Sequence, residues 1–250
     1  LVVMEKFKRM HLEMKSGHLK ESQLNFYRQN GYCLVENVVS KEDCQLLIAE
    51  ANRAAKGKYN LRLNMHQSPE FHKIHVRKDI LAMADQLCEH RMIPIGSVFY
   101  FSQPNSTFGS SVWHQDNYAP KAPHGSYLVI GLALDDADKS NGALTVVPRT
   151  NFLEDLPVVS KSYLKKDKTG ETLENDPIGM ECKIPEGYEP VQLTYKRGDI
   201  IFLHGHIIHR ANKNSHPERW RRKIYMHYIK NEHPFWPGWN ARRQLIDRED

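Results

Sequence analysis

Apolar and polar positions alternate in two ways along the chain, and the change between them divides it into two parts. In the first part apolar residues recur at helical spacing, which predicts helices over 20–31, 41–55 and 78–90. A β-branched run at 32–39 predicts a strand between the first two helices, and alternation over 58–65 predicts a further strand. Helices therefore dominate the first 90 residues.

Two local signals predict where the first helices end and begin. Gly31 is well placed to end the first helix, because glycine adopts the left-handed backbone that helix ends often need. Ser40 is a helix N-cap residue, and Asp43 lies three positions later, as in a capping box with Asp in place of Glu.

The second part consists of short strand-like runs separated by Pro, Gly and Asn. Asn141-Gly142 is a strong tight-turn signal between two of these runs. The runs are IGSVFYFSQ, SVWHQD, SYLVIGLALD, GALTVVP, VQLTY, DIIFLHGHIIH and RRKIYMHYI. Many short strands with turn signals predict a mainly β fold, a sandwich or barrel with flanking helices.

The segment 151–190 interrupts the strand pattern. It is polar, lacks periodicity and is rich in Lys, Glu, Asp, Pro and Gly, so we expect a long insert or lid. No linker divides the rest. The sequence therefore predicts an N-terminal extension over 1–19 and one domain over 20–250.

Composition excludes several classes of protein. The net charge of +5 is mild and no nucleic-acid-binding module is visible, so we expect a small-molecule substrate and no nucleic-acid partner. No apolar run is long enough to span a bilayer, the N-terminus is too charged for a signal peptide, and the four cysteines are widely spaced. These features predict a cytoplasmic monomer or homodimer with free thiols and no membrane partner.

Candidate metal ligands lie in two separate strand-like runs. His114 and Asp116 are two positions apart, and on a strand they would point to one face. The later apolar run carries His204, His206 and His209, one of which could complete a set of two histidines and one carboxylate. Such a set leaves open positions and suits non-haem Fe(II), with zinc as the competing metal.

Two arginines begin the strand that follows. Arg221 and Arg222 stand next to each other, and strand alternation allows only one of them to face the candidate site. Arginine binds a carboxylate through two parallel hydrogen bonds and keeps its charge at every relevant pH. An arginine beside such a metal site is what a dicarboxylate cosubstrate would require.

Taken together and in order, these segments resemble the phytanoyl-CoA dioxygenase family of Fe(II)- and 2-oxoglutarate-dependent oxygenases. The resemblance runs from about residue 20 to 230. It is carried by LNFYRQNGYCLVENVVSKEDC, WHQD, LALDDADKSNGALTVVP, RGDIIFLHGHIIHRANKN and RRKIYMHYI. It implies a double-stranded β-helix, that is, a jelly-roll or cupin-like barrel.

The resemblance also implies roles for particular residues. His114, Asp116 and His209 would be the iron ligands, which leaves His204 and His206 to packing or to supporting hydrogen bonds. Arg221 would bind 2-oxoglutarate, since the family's arginine lies six residues before the histidine that is His227 here, and Arg222 is the alternative. Many relatives have Gly-Ser after the distal histidine, whereas this chain has Arg210-Ala211, so one cosubstrate contact is missing.

Other residues are expected in the pocket on weaker grounds. The strand before H-Q-D ends with Tyr100, Ser102 and Gln103, and we expect Tyr100 and Gln103 to contact 2-oxoglutarate. Asn117 and Tyr118 follow the metal motif directly, so we expect them at the mouth of the site, in contact with substrate.

The implied activity is hydroxylation of a small polar or anionic metabolite, with Fe(II) as cofactor, 2-oxoglutarate and O2 as cosubstrates, and succinate and CO2 as products. The alternatives are another oxidation at the same site, such as desaturation, cyclisation or phosphonate C–H oxidation, or a non-catalytic metal-binding jelly-roll protein.

Overall fold

The computed structural model describes residues 17–59, 62–161 and 179–248. Helices occupy the first third of the chain, and strands follow. The helices are α1 (Glu21–Asn30), α2 (Lys41–Ala55), α3 (Pro69–His75) and α4 (Lys78–Cys88), with short 3₁₀ turns at Met65–Gln67, Asp116–Tyr118 and Thr150–Phe152.

The strands form two antiparallel sheets and a separate hairpin. They are β1 (Tyr32–Val35), β2 (Arg62–Leu63), β3 (Met92–Ser102), β4 (Tyr127–Ala133), β5 (Leu144–Val147), β6 (Val158–Lys161), β7 (Gly179–Cys182), β8 (Val191–Gln192), β9 (Ile200–His204), β10 (Ile208–Ala211) and β11 (Arg221–Lys230). The large sheet has the order β1-β9-β4-β11-β3-β2, the small sheet β10-β5-β8, and β6 pairs with β7.

The large sheet is buried on both faces, which is why β4 reads as an uninterrupted apolar run. Leu128, Ile130 and Leu132 pack with the helices on the outer face. Val129 and Ala133 pack in the second core cluster, together with residues of the small sheet. The inner face of the large sheet is therefore the one that can build a site between the sheets.

The helix predictions are confirmed with small shifts at the ends. Gly31 ends α1 in the left-handed conformation at φ 76°, and its amide donates to the Tyr27 carbonyl. The Ser40 hydroxyl accepts from the Asp43 amide at 3.0 Å and begins α2. The strand predicted over 58–65 is reduced to β2, and α3 was not predicted.

The predicted insert at 151–190 contains regular structure at its two ends. β6 and β7 pair antiparallel there. Residues 162–178 lie outside the described part, so the lid remains a prediction, as do the domain boundaries. Within the described ranges no helix is long and apolar enough to cross a membrane.

Candidate active site

Three residues from two separate segments converge between the sheets. His114 pairs with His209 of β10 through two backbone hydrogen bonds of 3.1 and 3.0 Å, forming an isolated bridge beside the small sheet. Asp116 then begins a 3₁₀ turn, which brings its carboxylate back between the two rings. Asp116 Oδ1 lies 3.4 Å from His114 Nε2, and Oδ2 lies 3.6 Å from His209 Nε2.

This geometry corrects the premise that His114 and Asp116 share one face of a strand. The chain around them is not a strand: His114 forms an isolated bridge to the small sheet, and the chain turns at Asp116. The two side chains meet because of the turn, and alternation plays no part.

Both imidazoles are oriented by backbone carbonyls. His114 Nδ1 lies 2.8 Å from the Val112 carbonyl, and His209 Nδ1 lies 3.0 Å from the Ile207 carbonyl. A carbonyl only accepts, so each Nδ1 carries the proton and each Nε2 presents its lone pair to the site. Metal-binding histidines are commonly held in this way.

The charges at the three residues suit a cation. Burial favours a neutral Asp116, but the neighbouring imidazoles outweigh it and hold the pKa of Asp116 below its ordinary value. Burial lowers the pKa of His209 to about 4. For His114 burial acts in the same direction, but the Asp116 carboxylate outweighs it and the pKa of His114 is raised.

The residues fit a metal ion of the non-haem iron type. One candidate ligand atom from each of His114, Asp116 and His209 lies within 4.8 Å of the others, and these three are the metal-binding group found in the described ranges. Two imidazole nitrogens and one carboxylate oxygen on a common side match the donor set that Fe(II) oxygenases use.

The two arginines of β11 have different surroundings. Arg221 is fully buried, and its Nη2 donates to Ser102 Oγ at 3.1 Å, Gly109 O at 3.2 Å and Asn212 O at 3.1 Å. Its Nε and Nη1 have no acceptor among the residues that the structure describes. A guanidinium with unused buried donors is suited to receive a carboxylate from outside the chain.

Arg222 lies on the opposite face of β11 and is paired with the Asp135 carboxylate. Its Nε and Nη2 each lie 2.8 Å from an oxygen of the Asp135 carboxylate, and its backbone amide donates to the same group at 2.8 Å. Strand alternation thus separates the neighbours, and of the two it is Arg221 that has buried donors without an acceptor among the described residues.

Lys223 is a site residue that the sequence did not reveal. It lies on the same face of β11 as Arg221, is 3% exposed, and its Nζ sits 4.8 Å from the ring centroid of Tyr225 and 5.3 Å from that of Tyr100. Burial lowers the pKa of Lys223, Arg221 lowers it further, and the Asp116 carboxylate opposes the change. In the sequence it stands next to Arg221 and Arg222, and no local pattern marks it as buried.

Of the residues expected to contact 2-oxoglutarate, Tyr100 lies in this pocket. Its ring centroid lies 5.3 Å from Lys223 Nζ, and burial raises the pKa of Tyr100, which the Asp116 carboxylate raises further. Ser102, two residues on, positions Arg221. Gln103 lies just beyond the end of β3 and is half-buried.

The Asn117 side chain is buried inside the protein, while its expected contact with substrate stays a prediction. It is 1% exposed, and its amide nitrogen donates to Ala122 O at 3.0 Å and to Asp155 Oδ1 at 3.1 Å. It also lies 3.2 Å from His206 Nε2, so it fixes the loop that follows Asp116. Tyr118 is half-buried and lies in the electrostatic range of Asp116.

His204 and His206 lie outside the ligand group. They form a cluster with His124, whose ring centroid lies 5.4 Å from that of His204 and 4.3 Å from that of His206. His206 Nε2 also lies 3.2 Å from Asp155 Oδ1. These contacts hold the turn between β9 and β10, directly before His209.

Comparisons with known proteins agree with this chemistry. Residues 27–223 match the family described as phytanoyl-CoA dioxygenase (PhyH). The chain is 28% identical over 178 residues to "Phytanoyl-CoA dioxygenase 1" of Oryza sativa subsp. japonica, a match that covers 71% of this chain but 59% of that relative. It is 24% identical to "Ectoine dioxygenase" of Bordetella bronchiseptica, over 91% of this chain and 82% of the relative.

The fold is shared with solved structures of lower identity. The epimerase SnoN, crystallised with Fe3+, alpha ketoglutarate and nogalamycin RO, superposes with a TM-score of 0.70 at 19% identity, over 87% of this chain and 86% of that chain. The jelly-roll fold with flanking helices is thereby confirmed. Because the family match covers most of the chain, the protein belongs to the phytanoyl-CoA dioxygenase family of dioxygenases, whose cofactors are Fe(II), 2-oxoglutarate and O2.

Proposed function

We propose that this chain hydroxylates a small polar or anionic metabolite in an Fe(II)- and 2-oxoglutarate-dependent reaction. One substrate C–H bond, one O2 and one 2-oxoglutarate become one C–OH, one succinate and one CO2. The iron, when bound, supplies the activation of O2. The chain supplies the binding groups, their orientation and the exclusion of water.

The observation that carries the proposal is the arrangement of His114, Asp116 and His209 around a common point. Three candidate ligand atoms lie within 4.8 Å of one another, and both imidazoles have their Nδ1 held by a carbonyl. In the proposal these three residues hold the iron.

Arg221 supports the second half of the proposal. Its buried, uncompensated charge would bind the distal carboxylate of 2-oxoglutarate, with Ser102 and Gly109 holding Nη2 in place. Tyr100 and Gln103 are the further proposed cosubstrate contacts. Tyr118 is the proposed substrate contact, while Asn117 would position the loop between Asp116 and Tyr118.

Succinate release tests the proposal. Protein, Fe(II), ascorbate, O2 and 2-oxoglutarate are combined with candidate amino acids, betaines, phosphonates and CoA esters, and succinate is measured against hydroxylated product. Asp116→Ala should abolish coupled turnover, whereas Asp136→Ala, which removes a surface carboxylate paired with Lys196, should not change it. Full turnover in Asp116→Ala would exclude Asp116 as an iron ligand.

The second candidate function is non-catalytic metal binding on the same fold. It is kept because the three ligands by themselves also suit zinc. Anaerobic titration of the Fe(II) protein with 2-oxoglutarate distinguishes the two: an oxygenase develops the visible charge-transfer band of the chelate, and a zinc-binding protein does not. Desaturation or cyclisation would instead give succinate with a product that lacks the added oxygen.

A further inference from the structure

The C-terminal segment 231–248 is hydrogen-bonded to the large sheet, next to the candidate site. The backbone amides of Gln244 and Ile246 donate to carbonyls of β3 at 3.1 and 2.9 Å. Beyond them Arg248 Nη1 lies 2.9 Å from both carboxylate oxygens of Asp85. The residues just before these anchors therefore have a fixed position.

These anchors place Arg243 beside the part of β11 that contains His227. Its Cγ lies 3.7 Å from the position that a Cβ on Gly96 would take. Gly96 is the register partner of His227, and His227 Nδ1 is hydrogen-bonded to the Tyr127 hydroxyl. Arg243 thus lies beside a wall of aromatic and polar groups on the inner face of the sheet.

The charge of Asp116 affects the pKa of side chains in the same wall. Burial raises the pKa of Tyr118 and of Tyr127, Asp116 raises both further, and Arg243 opposes the change. Burial lowers the pKa of His227 to about 4, with Arg243 as the next largest cause and Asp116 acting against it. Arg243 therefore lies on the inner face of the large sheet, beside Gly96 and its register partner His227.

Among the residues that the structure describes, no carboxylate neutralises the charge of Arg243. Its Nε is buried without a hydrogen-bond partner among the described residues, Nη1 donates to the Pro237 carbonyl at 3.4 Å, and the Tyr127 side chain is a further hydrogen-bond partner of the guanidinium. No carboxylate forms an ion pair with it within 17–59, 62–161 and 179–248. A buried guanidinium donor without an acceptor is costly, so an acceptor from outside the chain would be bound favourably.

The position of Arg243 differs from that of Arg221. Arg221 pairs with Ser102 at one end of β11, and the Gly96–His227 pair lies six residues farther along, roughly 20 Å at the rise of an extended strand. Lys223 and Tyr225 lie between those ends on the same face of β11. The two arginines therefore lie at different ends of this face.

We propose that Arg243 binds an oxyanion of the primary substrate. The substrate is then an organic acid, with a carboxylate or phosphate at Arg243 and its reacting C–H bond toward His114, Asp116 and His209. This inference rests on the proposed function and narrows its substrate class from polar or anionic to anionic.

Matched acid and amide ligands test the inference. A panel of small carboxylates and phosphate monoesters is titrated against the primary amides or neutral esters of the same compounds. The protein carries Fe(II) and 2-oxoglutarate under anaerobic conditions, and changes in its visible band report entry into the pocket. Acids should bind about tenfold or more tightly than their neutral partners, the range expected for a charge-assisted hydrogen bond.

Two neighbouring arginines provide the variant and its control. Arg243→Gln should lower acid affinity about tenfold or more and leave neutral ligands and 2-oxoglutarate affinity unchanged. Arg242→Gln removes an exposed charge one residue away and should change neither. Thermal unfolding of both variants confirms that each is folded.

The outcomes separate this inference from the proposed function. Equal binding of acids and amides, no binding of any acid, or unchanged acid affinity in Arg243→Gln would overturn the role of Arg243 while leaving the oxygenase assignment intact. Absence of the visible band would instead refute the proposed function. Calorimetry with metal-free protein, which needs neither metal nor cosubstrate, would still measure the acid–amide difference.

Discussion

Replacing Arg221 by methionine should separate cosubstrate binding from stability. Methionine keeps much of the side-chain length but removes the charge and every donor. The side chain is fully buried, so no solvent screens the interaction that is lost. Arg222→Met is the matched control, since it removes the neighbouring charge from the opposite face of the same strand.

The expected magnitude follows from the contacts of the two residues. Losing a buried charge pair made of charge-assisted hydrogen bonds costs about 3–5 kcal/mol, which corresponds to a roughly hundred- to several-thousand-fold weaker 2-oxoglutarate affinity. The free energy of unfolding should change little in Arg221→Met, because three acceptors of Nη2 lose a donor while an uncompensated buried charge is removed.

Arg222→Met should show the reverse behaviour. It leaves the Asp135 carboxylate, which is 10% exposed, without its bidentate partner. We expect the free energy of unfolding to fall by roughly 2–4 kcal/mol and 2-oxoglutarate affinity to stay as in the unmodified protein.

The assay combines anaerobic titration of the Fe(II) protein with 2-oxoglutarate, followed by its visible band, and urea unfolding without cosubstrate. An Arg221→Met protein that binds 2-oxoglutarate within threefold of the unmodified chain would refute the assignment. So would an Arg222→Met protein that loses cosubstrate affinity while remaining folded.

Three further predictions concern the same pocket and the core beneath it. Gly109→Ala should weaken 2-oxoglutarate binding about tenfold in the same titration, because Gly109 has φ +80° and an added Cβ would lie 2.2 Å from Ser102 Oγ. Lys223→Met should also weaken 2-oxoglutarate binding about tenfold, since it removes a second buried cation. The same change should raise the melting temperature of the metal-free protein. Unchanged 2-oxoglutarate affinity would place Lys223 outside the cosubstrate pocket. Burial lowers the pKa of His75 to about 3. The neutral imidazole of His75 therefore stabilises the folded protein fully above the unfolded-state pKa near 6.5, and this stabilisation is lost as the pH falls toward 3. At pH 4.5 the free energy of unfolding should have fallen by about 2.7 kcal/mol from this cause. Urea unfolding at pH 7.5 and 4.5 should show a smaller loss in His75→Gln, a variant that keeps a donor for the Gly96 carbonyl.

The sequence by itself determined the elements and the types of residue that matter. Apolar periodicity predicted α1, α2 and α4, and the end signals at Gly31 and Ser40 are used as predicted. These features are local, because a helix face and a cap depend on residues a few positions apart. The chemical type of the site was also readable, since few donor sets suit an iron cofactor.

Only the tertiary structure decided which of the candidate residues meet, and how. Asp116 reaches the two histidines through a 3₁₀ turn that no alternation pattern predicts. Asn117 appeared to be a loop residue at the mouth, but contacts with Asp155 and His206, 38 and 89 positions away, bury it.

The charged residues show the same limit most clearly. Strand alternation alone gave no reason to prefer Arg221 over Arg222, and only the family resemblance favoured Arg221. In the structure Arg222 pairs with Asp135, 87 positions away, while Arg221 keeps buried donors without an acceptor among the described residues. The sequence analysis did not single out Lys223 or Arg243. The burial of Lys223 and of Arg243 Nε depends on neighbours brought together by the sheet and the C-terminal segment, and such long-range contacts leave no periodic trace in the chain.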